Sequence, residues 1–486
     1  MLLGLGYHRT FSVQTQMPAS MHTDVGPPEN ESVVSRMRRA VSDERIRAAL
    51  IAGIALMCVV SVVWLSYQSW RYFSLPKQLD SQGISRGAID VQNRFMETRA
   101  WFRGENVYAI HPDAVYPPAS YALLGIVFNR LRWKIVKLLW YGLSLASVGV
   151  LSWQLVRHSL TQTRLERVFL GLMPFAFYAT GAALGNGQLV VFVLPLVLNA
   201  VLLLTRPGLT PWDTSRGALL MLCALVQPTI AAPFFWLVMF VAPRIKPAVL
   251  VVAMYLGLTA FAVPFQIGAT VPAKPKPVGK TPAAAKASAP APEPTPALGE
   301  VPPPDASQTD GSVQILNTWS ARATHGAYQG SLKGGYASVH DLLAAVGLAR
   351  WNWPVSMAIL LGLGAWIFRN RQADLWLLLA VTAIVARIWT YHRWYDDLLL
   401  LFPLITLFRM TKLPQYSPQT KTLAAGLFFW IWLFLLAPGV LYTVRSSDIL
   451  VGIQVTGWIA GLVFLAYQVY RERQLPSDTE VKTAAA

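Results

Sequence analysis

IRAALIAGIALMCVVSVVW, residues 46–64, decides the fold class. Its one charge is Arg47. A run of this kind matches the roughly 20 apolar residues that a helix needs to cross a bilayer. Similar runs recur at 135–156, 168–184, 189–204, 218–241 and 249–265, and again at 355–368, 375–389, 398–408, 423–442 and 449–470. A shorter one, 119–131, follows Pro117-Pro118. The pattern predicts an all-α polytopic integral membrane protein with external loops and about eleven to thirteen membrane helices, several too short to cross fully.

Composition agrees. Of 486 residues, 54% are hydrophobic and 13% charged, against about 25% charged in soluble proteins. The net charge of +17 does not point to nucleic acid. Many Lys and Arg sit in short loops between apolar runs, where they set topology. Cys58 and Cys223 lie inside apolar runs and read as small core residues, with no disulfide or zinc site. The first forty-odd residues are polar, so no cleaved signal peptide is expected.

The charge pattern gives an orientation. Arg36, Arg38 and Arg39 place a polar tail, 1–45, in the cytoplasm. The loops with Arg157/Arg164/Arg167, Arg206/Arg216, Arg244/Lys246, Arg369/Arg371, Arg409/Lys412 and Arg471/Arg473 read the same way. The membrane core then divides into 46–267, with an external loop at 69–117, and 355–470. Between them lie a Pro/Ala-rich, disordered external linker at 268–310 and a mixed external segment at 311–354. A cytoplasmic tail, 471–486, ends the chain. Two segments stay open. Pro228 splits 218–241, which suits a shallow hairpin. Arg130, Arg132 and Lys134 follow 119–131, which is either re-entrant or crossing.

This orientation gathers three polar clusters on the outer face: Asp90 with its loop, GNGQ at 185–188, and RIWTYHRWYDD at 387–397. Ionisable clusters at helix ends on one side of a membrane mark a candidate site. Spacing alone allows plainer roles. Asp90 and Arg94, four apart, suit a helical ion pair. Glu97, Glu105 and Asp113 read as solvated acids. Phe95, Trp101 and Phe102 suit an amphipathic helix lying in the outer interface. Tyr116-Pro117-Pro118 suits a helix start. Gln188 can cap a helix or bond a sugar hydroxyl. Asp396 and Asp397 can hold a divalent cation or simply favour a helix N-terminus, and the second is preferred. His325 and His340, in the external segment, can touch an acceptor or simply be solvated, and the second is preferred.

In order, these motifs carry a resemblance. Asp90 beyond the first span, then Gly104-x-x-x-Tyr108, then Tyr116-Pro117-Pro118, resembles the first external loop of the family 87 glycosyltransferases. These are polyprenol-phosphate-mannose-type enzymes of the GT-C superfamily, also grouped as DUF2029. Gly187-Gln188 resembles that family's Gly-Gln motif. Gln227-Pro228 stands where the family usually has Lys-Pro. YHRWYDDLLLLFPL, from Tyr391, resembles its segment before a late helix, although the family more often has a His closer to that helix. The match spans roughly residues 46–408.

The resemblance implies a GT-C-like fold in a bacterial cell (inner) membrane. It implies transfer of a sugar, by family default mannose, from a polyprenyl-phosphate donor to a hydroxyl of a lipid or glycan acceptor on the outer face. Asp90 matches the family's general base. Arg387, His392 and Arg393 match the cationic side of a lipid-phosphate site, with Gln188, Gln227 and Tyr116 as further donor contacts and Arg94, Asp396 and Asp397 as secondary candidates. No cofactor or metal is implied. The competing class is a transporter or flippase of lipid-linked saccharides. Such proteins often show internal repeats and mid-membrane charges, and no clear repeat is visible here.

Overall fold

The computed structural model describes residues 33–74, 87–111, 114–267, 315, 317–320, 337–439 and 448–474. The expected linker at 268–310, Asp113, His325 and the tail beyond 474 lie outside the described residues. The helices are α1 Val33–Ser74, α2 Ile89–Phe102, α3 Val107–Ile110, α4 Pro118–Phe128, α5 Trp133–His158, α6 Arg164–Ala176, α7 Tyr178–Asn186, α8 Val190–Leu204, α9 Pro211–Ala224, α10 Pro228–Phe240, α11 Lys246–Ala262, α12 Val339–Ala345, α13 Asn352–Arg369, α14 Leu375–Ile388, α15 Leu401–Lys412, α16 Pro418–Leu435 and α17 Asp448–Gln474. No strand occurs among the described residues. Residues 33–52, a unit of their own, form the N-terminal part of α1. The rest of α1 and all the other helices belong to a second unit, 53–486.

Local signals set the helix starts. Thr163 and Glu166 form a capping box on α6, Thr210 and Asp213 on α9, and Ser338 and Asp341 on α12. Proline, which lacks an N–H, opens α4, α9, α10 and α16, where that donor has no partner in any case.

Among the described residues, five helical stretches are long and apolar enough to cross a membrane: Arg47–Ser74, Trp133–His158, Lys246–Gln266, Ala349–Arg369 and Leu450–Gln474. A sixth arises if α7 and α8, which meet at 116°, count as one broken span. The chain is therefore an α-helical, multi-pass membrane protein. The expected eleven to thirteen membrane helices exceed this number for a physical reason. Helices buried inside a bundle are as apolar as helices that face lipid. α8 and α14 are of the buried kind. The 14-residue α14 buries Trp376 to Ile384 without a break. Prolines 174, 195 and 233 also interrupt otherwise continuous apolar runs.

Contacts fix which helix ends lie together. Tyr72, at the end of α1, donates to Lys137 O near the start of α5 at 2.8 Å. The chain thus leaves α1 and begins α5 at the same end, and α2 to α4 between them make no net crossing. In the open 119–131 segment the helix α4 spans 11 residues, fewer than the roughly 20 that a crossing helix needs. The 218–241 run is two helices, α9 and α10, meeting at residues 225–227.

The expected interfacial helix is corrected. α2 packs inside protein rather than on lipid. Trp101 and Phe95 are buried, and Trp101 stacks on Tyr121 of α4 with ring centroids 4.7 Å apart. Trp101 Nε1 donates to Ala262 O at 3.0 Å, and Gln266 Nε2 donates to Trp101 O at 3.0 Å. Burying an aromatic of this size contributes roughly 3 kcal/mol. Glu97, expected to be solvated, is 1% exposed. It pairs with Arg94 at 2.7 Å and accepts from Tyr121 Oη at 3.1 Å. Aromatics at helical spacing read alike whether the surface they face is lipid or protein.

Candidate functional site

The site begins at the turn between α7 and α8. Gly187 ends α7 with φ +74°, a left-handed conformation that glycine adopts without strain. A Cβ there would lie 2.5 Å from Val91 Cγ1 of α2, so only glycine lets α2 approach this closely. Ala88 N donates to Gly185 O at 3.1 Å, which fixes the start of α2 against the same turn. Trp140 Nε1 donates to Gly187 O at 3.0 Å from α5. Arg71 of α1 donates to Asn186 Oδ1 at 3.1 Å. The GNGQ motif is thus a junction of five helices, α1, α2, α5, α7 and α8.

Gln188 Nε2 donates to Asp90 Oδ2 across this junction. Asp90 sits in the first turn of α2, where unpaired backbone N–H groups favour a carboxylate. Gln188 is buried and Asp90 partly exposed. The Gln188 amide therefore helps to orient the carboxylate while the residue stays partly exposed.

The 387–397 segment approaches the same place. Tyr395 and Tyr391 hold the Arg393 guanidinium above its usual range, and Asp90 adds to this. Tyr395 is itself pushed well above the usual phenol range, by burial first and then by Asp90. Burial also raises Tyr116, with Arg94 opposing and Asp90, Glu97 and Asp396 adding. Asp90, Arg393, Tyr395, Asp396 and Tyr116 therefore share one electrostatic neighbourhood. Arg393 Nε donates to Tyr391 Oη at 2.7 Å, and the Arg94 guanidinium lies 4.4 Å above the Tyr116 ring.

Other expected residues have different partners. Arg387, expected to hold a donor phosphate, is 1% exposed and is locked to Asp397. Asp397 also accepts from Tyr178, which in turn accepts from Gln454 at 3.1 Å, and Arg387 lies 5.0 Å over the Trp458 ring. These contacts tie α7, α14 and α17 together, so Arg387 has a structural role. Asp396 instead accepts from His392 Nδ1 and from Arg393 N, both at 3.1 Å. The two adjacent carboxylates serve different partners rather than facing one shared ion. Arg94 pairs with Glu97 at 2.7 Å. Gln227 heads α10, and its buried Oε1 has no hydrogen-bond partner among the described residues. It makes no hydrogen bond to the Asp90 group.

His392 Nε2 is likewise buried without a hydrogen-bond partner among the described residues. Among the described residues no three His, Cys, Asp or Glu side chains gather into a metal-ligand set. Tyr395 belongs to the late motif, but nothing in the sequence singles it out. His340, expected in solvent, is 2% exposed and bridges Tyr391 N at 3.1 Å and Ser356 Oγ at 2.7 Å. A capping box at Ser338 is the local sign that this segment folds rather than dangles.

No family model, curated protein or solved structure matches the chain.

Proposed function

We propose that the protein is a membrane glycosyltransferase. It moves a sugar from a polyprenyl-phosphate donor to a hydroxyl of a lipid or glycan acceptor at the outer face of the membrane. The observation that carries this reading is the Gln188–Asp90 contact within the field of Arg393. A carboxylate oriented by a fixed donor, partly exposed and beside a cation, suits an attack by a hydroxyl on a phosphate-linked sugar.

In that reaction the acceptor oxygen bonds to the anomeric carbon and the bond from that carbon to the phosphate oxygen breaks. The acceptor proton passes to Asp90, which acts as general base. The leaving group is the lipid phosphate, and its growing charge is met by Arg393. Tyr116 and Tyr395, kept neutral by burial, supply hydroxyl donors for sugar or phosphate oxygens. His392, with Nδ1 donating to Asp396, presents Nε2 as a further polar contact.

The test is a screen of radiolabelled polyprenyl-phosphate sugars with the purified protein in proteoliposomes and product analysis. Transfer to an acceptor supports the reading. Movement of intact donor between leaflets without transfer would identify a flippase instead.

A further inference from the structure

The end of the bundle that holds Asp90 carries a second cluster, which the proposed reaction leaves unused. The turn from α4 to α5 and the first turns of α5 bring together Arg130, Arg132, Lys134 and Lys137, the first three exposed. Arg99 of α2 reaches the same turn, donating to Phe128 O at 3.4 Å and Leu131 O at 3.3 Å. Residues 114–165 contain no Asp or Glu. None of the five cations has a carboxylate within ion-pair distance among the described residues.

The surroundings are those of a bilayer edge. Ile126, Ile135, Leu138 and Leu139 are exposed beside the turn. Trp70 and Phe73, near the end of α1, are exposed at the same level, where interfacial aromatics sit. Lys137 Nζ lies 5.9 Å from the Phe73 ring. Topology does not account for these charges. α5 carries Arg157 and His158 in its last turn, so this 26-residue helix is basic at both ends.

We infer that the corner formed by Arg99, Arg130, Arg132, Lys134 and Lys137 binds the phosphate headgroup of an anionic bilayer phospholipid. Several cations facing one phosphate give charge-assisted hydrogen bonds, and the exposed aliphatic side chains beside them accept the acyl chains. A reacting donor would not place its phosphate here. Arg99 lies nine residues beyond Asp90 on α2, which is about 14 Å along a helix. The bound lipid instead holds the far end of α2, against which the site is built. The inference does not depend on the glycosyl-transfer reading.

The test uses the full chain in nanodiscs of phosphatidylcholine with and without phosphatidylglycerol. Its readouts are lipid retained on purification, by mass spectrometry, and the thermal midpoint. Wild type should retain phosphatidylglycerol and be stabilised by it. The triple variant Arg130→Gln, Arg132→Gln, Lys134→Gln should bind it on the order of a hundredfold more weakly, since each interfacial cation contributes about a fivefold factor near a charged bilayer. Arg164→Gln with Arg167→Gln, exposed at the other end of α5, should change nothing. If the triple variant folds poorly, Lys134→Gln alone and a salt titration of wild type read the same contact. Unchanged phosphatidylglycerol retention in the variant overturns the inference. So does equal stabilisation by inorganic phosphate, which would identify a site for free anions.

Discussion

Gln188 and Asp90 lie 98 residues apart, and one hydrogen bond joins them at the junction of α2, α7 and α8. Gln188 comes from the turn of a broken apolar helix pair, and Asp90 from the first turn of a helix that does not cross the membrane. The contact depends on the close approach at Gly187. A side chain there would push Val91 away and carry Asp90 with it.

Gly187→Ala should therefore damage fold and site together. It adds a Cβ 2.5 Å from Val91 Cγ1 and forces a non-glycine residue to φ +74°. Strain of this kind costs about 1–3 kcal/mol. A lowered thermal midpoint in detergent, with weaker sugar transfer, is expected. Gly257→Ala, in α11 with nothing within 4 Å of its added Cβ, should be neutral or slightly stabilising. Equal behaviour of the two variants would remove the argument for a close approach.

Two arginines from one motif should fail in different ways. Arg387→Ala leaves Asp397 buried without its cation, and breaking a buried pair costs about 3–5 kcal/mol. Folded yield should fall. Replacing both partners, as Arg387→Met with Asp397→Leu, should recover much of it. Arg393→Ala should leave the fold intact and weaken donor turnover by roughly 2–4 kcal/mol in the transition state. Folded yield and donor kinetics, measured on all three, separate the roles. A well-folded Arg387→Ala protein with poor donor use would return Arg387 to the site.

The legible part of this protein was its class and the order of its polar clusters. Apolar run lengths marked a helical membrane chain, and GNGQ and RIWTYHRWYDD were visible as breaks in apolar sequence. What lay beyond reading was which surface each run faces. α14 is as apolar as a lipid-facing span because it is buried among other helices. The Phe95/Trp101 spacing fitted a lipid interface and a protein interior equally well. Partner choice was also hidden. Asp396 and Asp397 are adjacent, yet one bonds His392 and the other Arg387, because a tight helical turn aims neighbouring side chains in different directions.

His340 gives a pH dependence to stability. Burial holds its imidazole down at about 4, with the nearby His392 adding. Its Nδ1 accepts from Tyr391 N, so Nε2 carries the hydrogen toward Ser356 Oγ. The native protein keeps this ring neutral, whereas the unfolded chain takes up a proton below about pH 6.5. This contribution is complete above pH 6.5 and declines as the pH falls to 4, by on the order of 3 kcal/mol in all. Thermal midpoints between pH 7.5 and 4.5 should fall in wild type and fall less in His340→Asn, whose side chain does not titrate. An identical slope in both would assign the effect to another group.

Asp90→Asn is the sharpest test of the proposed chemistry. The amide keeps the size of the carboxylate, and its oxygen can still accept from Gln188 Nε2, so the junction of α2 with the α7–α8 turn should persist. What is lost is the capacity to take a proton from the acceptor hydroxyl. Loss of a general base costs about 100- to 10,000-fold in rate. The expected protein is inserted, as heat-stable as wild type, able to bind the polyprenyl-phosphate donor, and nearly inactive in transfer. The other acids of the loop give the contrast. Glu97→Gln weakens a buried pair with Arg94 and a bond from Tyr121, so it should lower stability first and activity only as a consequence. Glu105→Gln removes a pair with an exposed Arg103, worth at most about 1 kcal/mol, and should be mild in both measurements. Near-normal turnover by Asp90→Asn would end the case for Asp90 as base. A selective loss of turnover in Glu97→Gln with unchanged stability would move that role two turns along the same face of α2.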